Sequence, residues 1–162
     1  MKELENTCEK IFQPKTGVPT DEIFTRYMYY ERANRNIHEN RSIKDYTVEA
    51  LRKFYEAENY KLLSEDYETT FINLISLANF WLNVHSRNDN VFSKRILRRL
   101  FVLSHAPNAM WTYITSVYFM HNKDCNGLLN DDQFYTFLNK ITAFILAYTI
   151  MKPCFTSLRP HF

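Results

Sequence analysis

Glycine and proline are scarce in this sequence, which has two glycines and five prolines among 162 residues. An all-β sandwich of this length would need a tight turn roughly every 8–12 residues, often built on Gly, Asn or Asp. The scarcity of turn formers therefore disfavours an all-β fold and favours a few long helices.

Cysteine is also rare, with Cys8, Cys125 and Cys154 far apart in the chain. An odd number at these spacings gives neither a disulfide framework nor a zinc motif, which is typical of a reducing compartment. The N-terminus carries charges where a signal peptide has an apolar stretch, and no run approaches about 18 consecutive apolar residues. We therefore expect a cytoplasmic protein that neither crosses nor enters a membrane.

A strong excess of one charge is missing, since 20 basic and 18 acidic residues give a formal net charge of +2. This balanced charge does not by itself indicate nucleic-acid binding, so any contact with nucleic acid must come from a local cluster of basic residues. Hydrophobic residues make up 46% and aromatic residues 16% of the chain, enough for one sizeable core. The composition predicts one globular domain.

Apolar residues recur at steps of three and four, which predicts an all-α fold, an irregular single-domain helical bundle of about six helices. Two prolines and a glycine at 13–19 divide the chain into an N-terminal short helix and linker, 1–19, and a helical bundle domain, 20–162. The predicted helices begin near Thr20, Thr47, Ser64, Val91, Pro107 and Asn130. The fifth is expected to bury Met110, Ile114, Val117 and Tyr118.

Four cations fall within six positions at Lys94, Arg95, Arg98 and Arg99, and helical spacing gathers them into one group, the basic arc. Such a group is a candidate contact for nucleic-acid phosphates. The alternative is a solvated face that keeps a core helix soluble, because about four charges without interleaved aromatic residues fall short of a phosphate-tracking surface.

Arg99 and His105 show a spacing that resembles the Arg-then-His pattern of the small helical ribonuclease modules called HEPN. The resemblance implies that the arginine binds phosphate and that the histidine transfers a proton. The alternative is a histidine that caps the C-terminus of its helix and complements the helix dipole.

The remaining histidines give no metal site. His85 and His121 each close the apolar stripe of a predicted helix, but no Glu-x-x-His motif occurs in the chain. Acidic residues at helix starts suit capping better than catalysis. No phosphate-binding loop or nucleophile elbow is present, so we expect no metal and no cofactor.

Three stretches resemble the middle helical region of GmrSD-type proteins, bacterial modification-dependent restriction enzymes with a ParB-like nucleotide-hydrolysing domain and an HNH-type nuclease. They are 21–27, the segment from Arg98 through Pro107 to Phe119, and 144–159. The ParB-like Asp-Gly-Gln-Gln-Arg motif and the His-Asn-His-type site have no counterpart, so no catalytic residue of the family is carried over. The resemblance implies a non-catalytic interaction or spacer module from a phage-defence protein. Its expected partners are other domains or subunits of that protein, with DNA reached through the basic arc.

Overall fold

The computed structural model describes residues 20–34, 67–106 and 109–151, and within these ranges all regular structure is helical. The helices are α1 (Thr20–Asn34), α2 (Tyr67–His85), α3 (Lys94–Ser104), α4 (Met110–Asn122) and α5 (Asp131–Met151). The prediction of an all-α helical bundle is confirmed. The predicted linker at 1–19 and the helix expected from Thr47 lie outside the described residues.

Local hydrogen bonds define where the later helices begin and end. Asn130 caps α5, because its Oδ1 accepts the backbone N–H of Gln133 at 3.1 Å, as the sequence predicted. At the end of α2, Arg87 has a φ of 53°, and the N–H of Asn88 donates to the carbonyl of Asn83 at 3.0 Å. These features form the turn that commonly ends an α-helix, and Arg87 takes the left-handed position in which glycine is usual.

The core is built around Phe80 of α2. Its ring stacks on Phe119 of α4 with 4.3 Å between centroids, and it meets Phe92 and Phe134 edge-on at 5.9 and 6.0 Å. One side chain therefore joins α2, α4, α5 and the segment that leads into α3. Burying a ring of this size contributes roughly 2–3 kcal/mol.

The predicted buried line of α4 is wrong. The described side chains that α4 buries are Trp111, Thr112, Thr115, Ser116, Phe119 and Met120, whereas Met110, Ile114, Val117 and Tyr118 are only half-buried. Small hydroxyl residues turn inward because α4 packs against both α1 and α2. The Ser116 hydroxyl is satisfied there: its Oγ donates to the carbonyl of Thr112 at 2.7 Å and accepts the indole N–H of Trp81 at 2.9 Å. The buried Thr115 Oγ1 has no hydrogen-bond partner among the described residues.

The sequence also predicts one apolar stripe along α2 from Tyr67 to His85, and the two ends of this stripe differ from the structure. Tyr67 and His85 are exposed, while Leu77 and Phe80, which lie beside the predicted line, are buried. A helix contacted on more than one side buries a wider face than a single stripe.

Helices α3 and α5 run side by side in the same direction. Arg95 meets Asp131 in the first turn of α5, and one turn further Arg99 lies over the ring of Tyr135, with 5.9 Å from Cζ to the centroid. The join at 105–108 is short enough in the sequence to predict that α3 and α4 pack side by side. The main partner of α3 among the described helices is instead α5. By this register α5 continues past the end of α3 by about ten residues, or roughly 15 Å.

Candidate functional site

The basic arc lies at the start of α3 and faces away from the core. Lys94, Arg95 and Arg98 are exposed and Arg99 is half-buried, while Ile96, Leu100 and Leu103 on the opposite side are buried. Helical spacing places the cations and the buried apolar residues on opposite faces of α3 and so produces this separation. The four cations are thus on one side of the protein, but their environments differ.

Arg95 is held by carboxylates of α5. Its Nε donates to Asp131 Oδ2 at 2.7 Å, and its Nη2 reaches both Asp131 and Asp132. Hydrogen bonds to Asp131 and then to Asp132 raise the pKa of Arg95. Two carboxylates beside one guanidinium cancel its positive field, so phosphate contact would fall mainly to Lys94 and Arg98.

Arg99 is directed toward Tyr135 rather than toward open solvent. Hydrogen bonding from Asn139, and then from Arg99, lowers the pKa of the Tyr135 hydroxyl. Arg95 also lies over the same ring, with its Cζ 5.0 Å from the centroid. The guanidinium groups of Arg95 and Arg99 therefore serve the contact between α3 and α5.

Arg99 and His105 are not brought together. Six helical positions separate them by roughly 9 Å along the axis and about 120° around it. His105 is exposed and ends α3, with Nδ1 2.9 Å from the carbonyl oxygen of Phe101 and its ring 4.6 Å from that of Phe101. Its described contacts are those of a helix cap.

The two other described histidines sit beside aromatic rings at helix ends. The ring of His85 lies 6.3 Å from that of Trp81, and the ring of His121 lies 5.3 Å from that of Tyr30. The ring of His85 is exposed but partly covered by its neighbours, and this partial desolvation, and then the charge of Arg26, lowers the pKa of His85. Within the described ranges, no group of three or more His, Cys, Asp or Glu residues could hold a metal ion.

Arg26 of α1 is a buried cation that the sequence analysis missed. Its Nη2 donates to Glu22 at 2.6 Å, and its Cζ lies 4.1 Å above the ring of Trp81. The side chain is only 5% exposed, and within the part of the chain that the structure describes its Nε and Nη1 have no hydrogen-bond partner. Burial lowers the pKa of this guanidinium despite the neighbouring Glu22. The i,i+4 spacing with Glu22 was a readable signal for the pair, but not for its burial.

The last nine described residues of α5, 143–151, contain no charged side chain, and six of them form an exposed surface. This outer apolar face consists of Ala143, Phe144, Leu146, Ala147, Ile150 and Met151. Exposure reaches 55% for Leu146 and 80% for Ile150. Ile145, one position away, is buried, so α5 is apolar on both sides here. Helices of this kind are normally covered all round.

By length and composition, α5 is the one described helix that could cross a membrane. That test is weak, because the core helix of a soluble protein also passes it. Phe134 and Leu138 in its first half are fully buried against the rest of the bundle. Only 22% of its apolar stretch is buried, however, whereas such a core helix is mostly buried.

Comparison of the chain with protein-family models, with curated proteins and with solved structures found no match.

Proposed function

We propose that this chain is a non-catalytic helical interaction module that docks against another domain or subunit through the outer apolar face of α5. The observation that carries the proposal is the exposure of Phe144, Leu146, Ile150 and Met151 on one uncharged stretch of helix. Large side chains left in water together, beyond the end of the neighbouring helix, favour association, because covering them removes apolar surface from solvent.

The resemblance to GmrSD-type proteins supplies the partner in this proposal. The module connects and positions the catalytic domains of a restriction protein, and the outer apolar face is where one of them packs. The native gene is then expected to encode a ParB-like domain before this segment and a nuclease after it. A gene with neither would remove the restriction-protein part of the proposal and leave the docking surface to be tested on its own.

Charge substitution on the outer apolar face tests the docking itself. The double variant Leu146→Lys/Ile150→Lys is expected to keep the unfolding free energy of the isolated chain within about 0.5 kcal/mol, because both side chains already face solvent. It should lose association with the remainder of the native protein in analytical ultracentrifugation. Ile72→Lys is the matched control, since Ile72 is 64% exposed and lies on α2, not on α5.

Two results would contradict the proposal. If the double variant unfolds far more easily than Ile72→Lys, the face is covered from within the chain. If it associates as the wild type does, the face is not the docking surface. Flotation of the wild-type chain with phospholipid vesicles, abolished by the double variant, would instead assign the face to a lipid surface.

Any DNA contact is expected to be weak and independent of sequence. Lys94 and Arg98 carry it in this proposal, because Arg95 is held by two aspartates. Counterion release predicts that each lost phosphate contact lowers the log–log salt slope on duplex DNA by about 0.9. Replacing Lys94 and Arg98 with Gln should therefore flatten the slope by roughly two units, and Arg95→Gln should leave it unchanged.

A further inference from the structure

A cavity of about 330 Å³ lies between the turn that follows α2 and the loop that precedes α5. Its floor is apolar and aromatic, formed by the buried rings of Phe80, Phe92 and Phe134. The exposed side chains of Val91 and Leu128 stand at its mouth. The volume is at the lower end of the range for ligand pockets, about 300–1,000 Å³, and suits a molecule with one ring.

The wall formed by the turn after α2 is held by its own hydrogen bonds. Asn88 Nδ2 donates to Asn83 Oδ1 at 2.8 Å, and Asn88 Oδ1 accepts the backbone N–H of Asn90 at 3.1 Å. The left-handed φ of Arg87 belongs to the same turn. Among the described residues, the side-chain amide of Asn90 at the edge of the cavity has no hydrogen-bond partner, so it can bind a ligand.

The opposite wall is fixed in the same way. Asp124 Oδ1 accepts the backbone N–H groups of Asn126 at 2.9 Å and Leu128 at 2.8 Å. Gly127 has a φ of 73°, and a Cβ at this position would lie 3.2 Å from Ser76 Oγ, so the loop is seated closely on α2. Both walls are therefore pre-formed, and binding needs little ordering of the protein.

The charge at the rim restricts the ligand. Asp131 is the one charged residue among those that line the cavity, and Arg95 pairs with it and with Asp132, so that these two carboxylates and one guanidinium keep one net negative charge. Asn83 and Asn90 are the polar lining residues beside Asp131. A carboxylate and amide oxygens accept hydrogen bonds, and a carboxylate repels an anion.

We propose that this cavity binds a compact aromatic molecule that carries a neutral or cationic hydrogen-bond-donating group. The ring rests on the phenylalanine floor, and the donor group meets Asn90 and Asp131 at the rim. This small-molecule site is separate from the outer apolar face of α5, and neither proposal depends on the other.

Three probes of one size and different charge test the proposal on the intact chain: benzamide, benzylamine and benzoate. Ligand-observed saturation-transfer NMR should show benzamide and benzylamine binding with dissociation constants on the order of 1 mM. Benzoate should bind at least tenfold more weakly. Asn90→Ala should weaken benzamide by about 2–10-fold, as the loss of one hydrogen bond predicts.

Blocking the mouth supplies the structural control. Leu128→Trp should abolish binding of both donor-bearing probes, and Val91→Trp should do the same if the first variant fails to fold by circular dichroism. Both residues are exposed, at 49% and 38%, so a larger side chain can be added without disturbing the core. Ile72→Trp, exposed and outside the cavity, should bind as the wild type does. Absence of binding by all three probes, equal binding of benzoate, or binding that survives a blocked mouth would overturn the proposal.

Discussion

Replacing Arg26 with methionine is expected to stabilise the protein by about 1–2 kcal/mol, although it removes an ion pair. Each buried N–H group without an acceptor costs roughly 1–3 kcal/mol, and Arg26 has such groups at Nε and Nη1. Against this stand a desolvated cation–π contact with Trp81, contributing about 1–2 kcal/mol, and the ion pair with Glu22. Because Glu22 is 52% exposed, that pair contributes at most about 1 kcal/mol. Methionine keeps an apolar stem and a favourable sulfur contact over the indole.

Urea denaturation followed by tryptophan fluorescence measures this difference, with the midpoint and slope fitted separately. Glu22→Ala is the companion variant: it leaves Arg26 without its acceptor and should cost about 1–3 kcal/mol in the wild type. In the Arg26→Met background the same change should cost less than about 0.5 kcal/mol, because no charge remains to be satisfied. A loss of more than about 2 kcal/mol for Arg26→Met would refute the reasoning, since it would mean that its N–H groups have acceptors in solution.

Three further predictions concern buried and capping groups. Ser116→Ala should cost about 1–3 kcal/mol, because the buried indole N–H of Trp81 loses its acceptor, whereas the exposed Ser104→Ala should cost less than about 0.5 kcal/mol in the same denaturation assay. The lowered pKa of His85 means that the unfolded chain binds more protons below about pH 6.5, so stability should fall between about pH 7 and 5.5, and His85→Gln should flatten that slope. The purified chain should leave single-stranded RNA intact, and His105→Ala should behave identically; cleavage that His105→Ala abolishes would instead support the ribonuclease reading.

The amphipathic helix α3 was the part of the fold that the sequence predicted best. Ile96, Leu100 and Leu103 recur at helical spacing opposite the four cations, which predicts that this face is buried, and all three residues are buried. The N-terminal cap of α5 was equally predictable from the sequence, because Asn130 and Gln133 are only three residues apart and bond to each other. A cap and the helical spacing of apolar residues both depend on residues close together in the sequence, and so they can be predicted without the tertiary structure.

Helix α4 was misread because apolar residues lie on nearly all of its sides. Periodicity cannot choose among several apolar faces, and contact with two helices decided the matter. Thr112 and Ser116 turn inward at little cost, since their hydroxyls donate to backbone carbonyls of Ala109 and Thr112 at 2.6 and 2.7 Å.

For the basic arc, too, the sequence alone could not predict the contacts that depend on tertiary packing. Its exposed cations were identifiable from spacing, but the pairing of Arg95 with Asp131 joins residues 36 positions apart and depends on how α3 lies on α5. The sequence did contain a signal for the outer apolar face, namely the absence of charged residues at 143–151. This signal was not used in the sequence-based prediction. Which of those residues face outward depends on the packing of α5 against α3.

The central claim is that the outer apolar face of α5 docks against a different domain or subunit. A photo-crosslinking amino acid placed at Phe144 in the purified native protein tests it directly, with the same group at Ile72 as the control. Mass spectrometry should locate crosslinks from position 144 in polypeptide outside the 162 residues of this chain, and none there from position 72. Crosslinks from position 144 that stay within this chain, or equal yields at the two positions, would contradict the account.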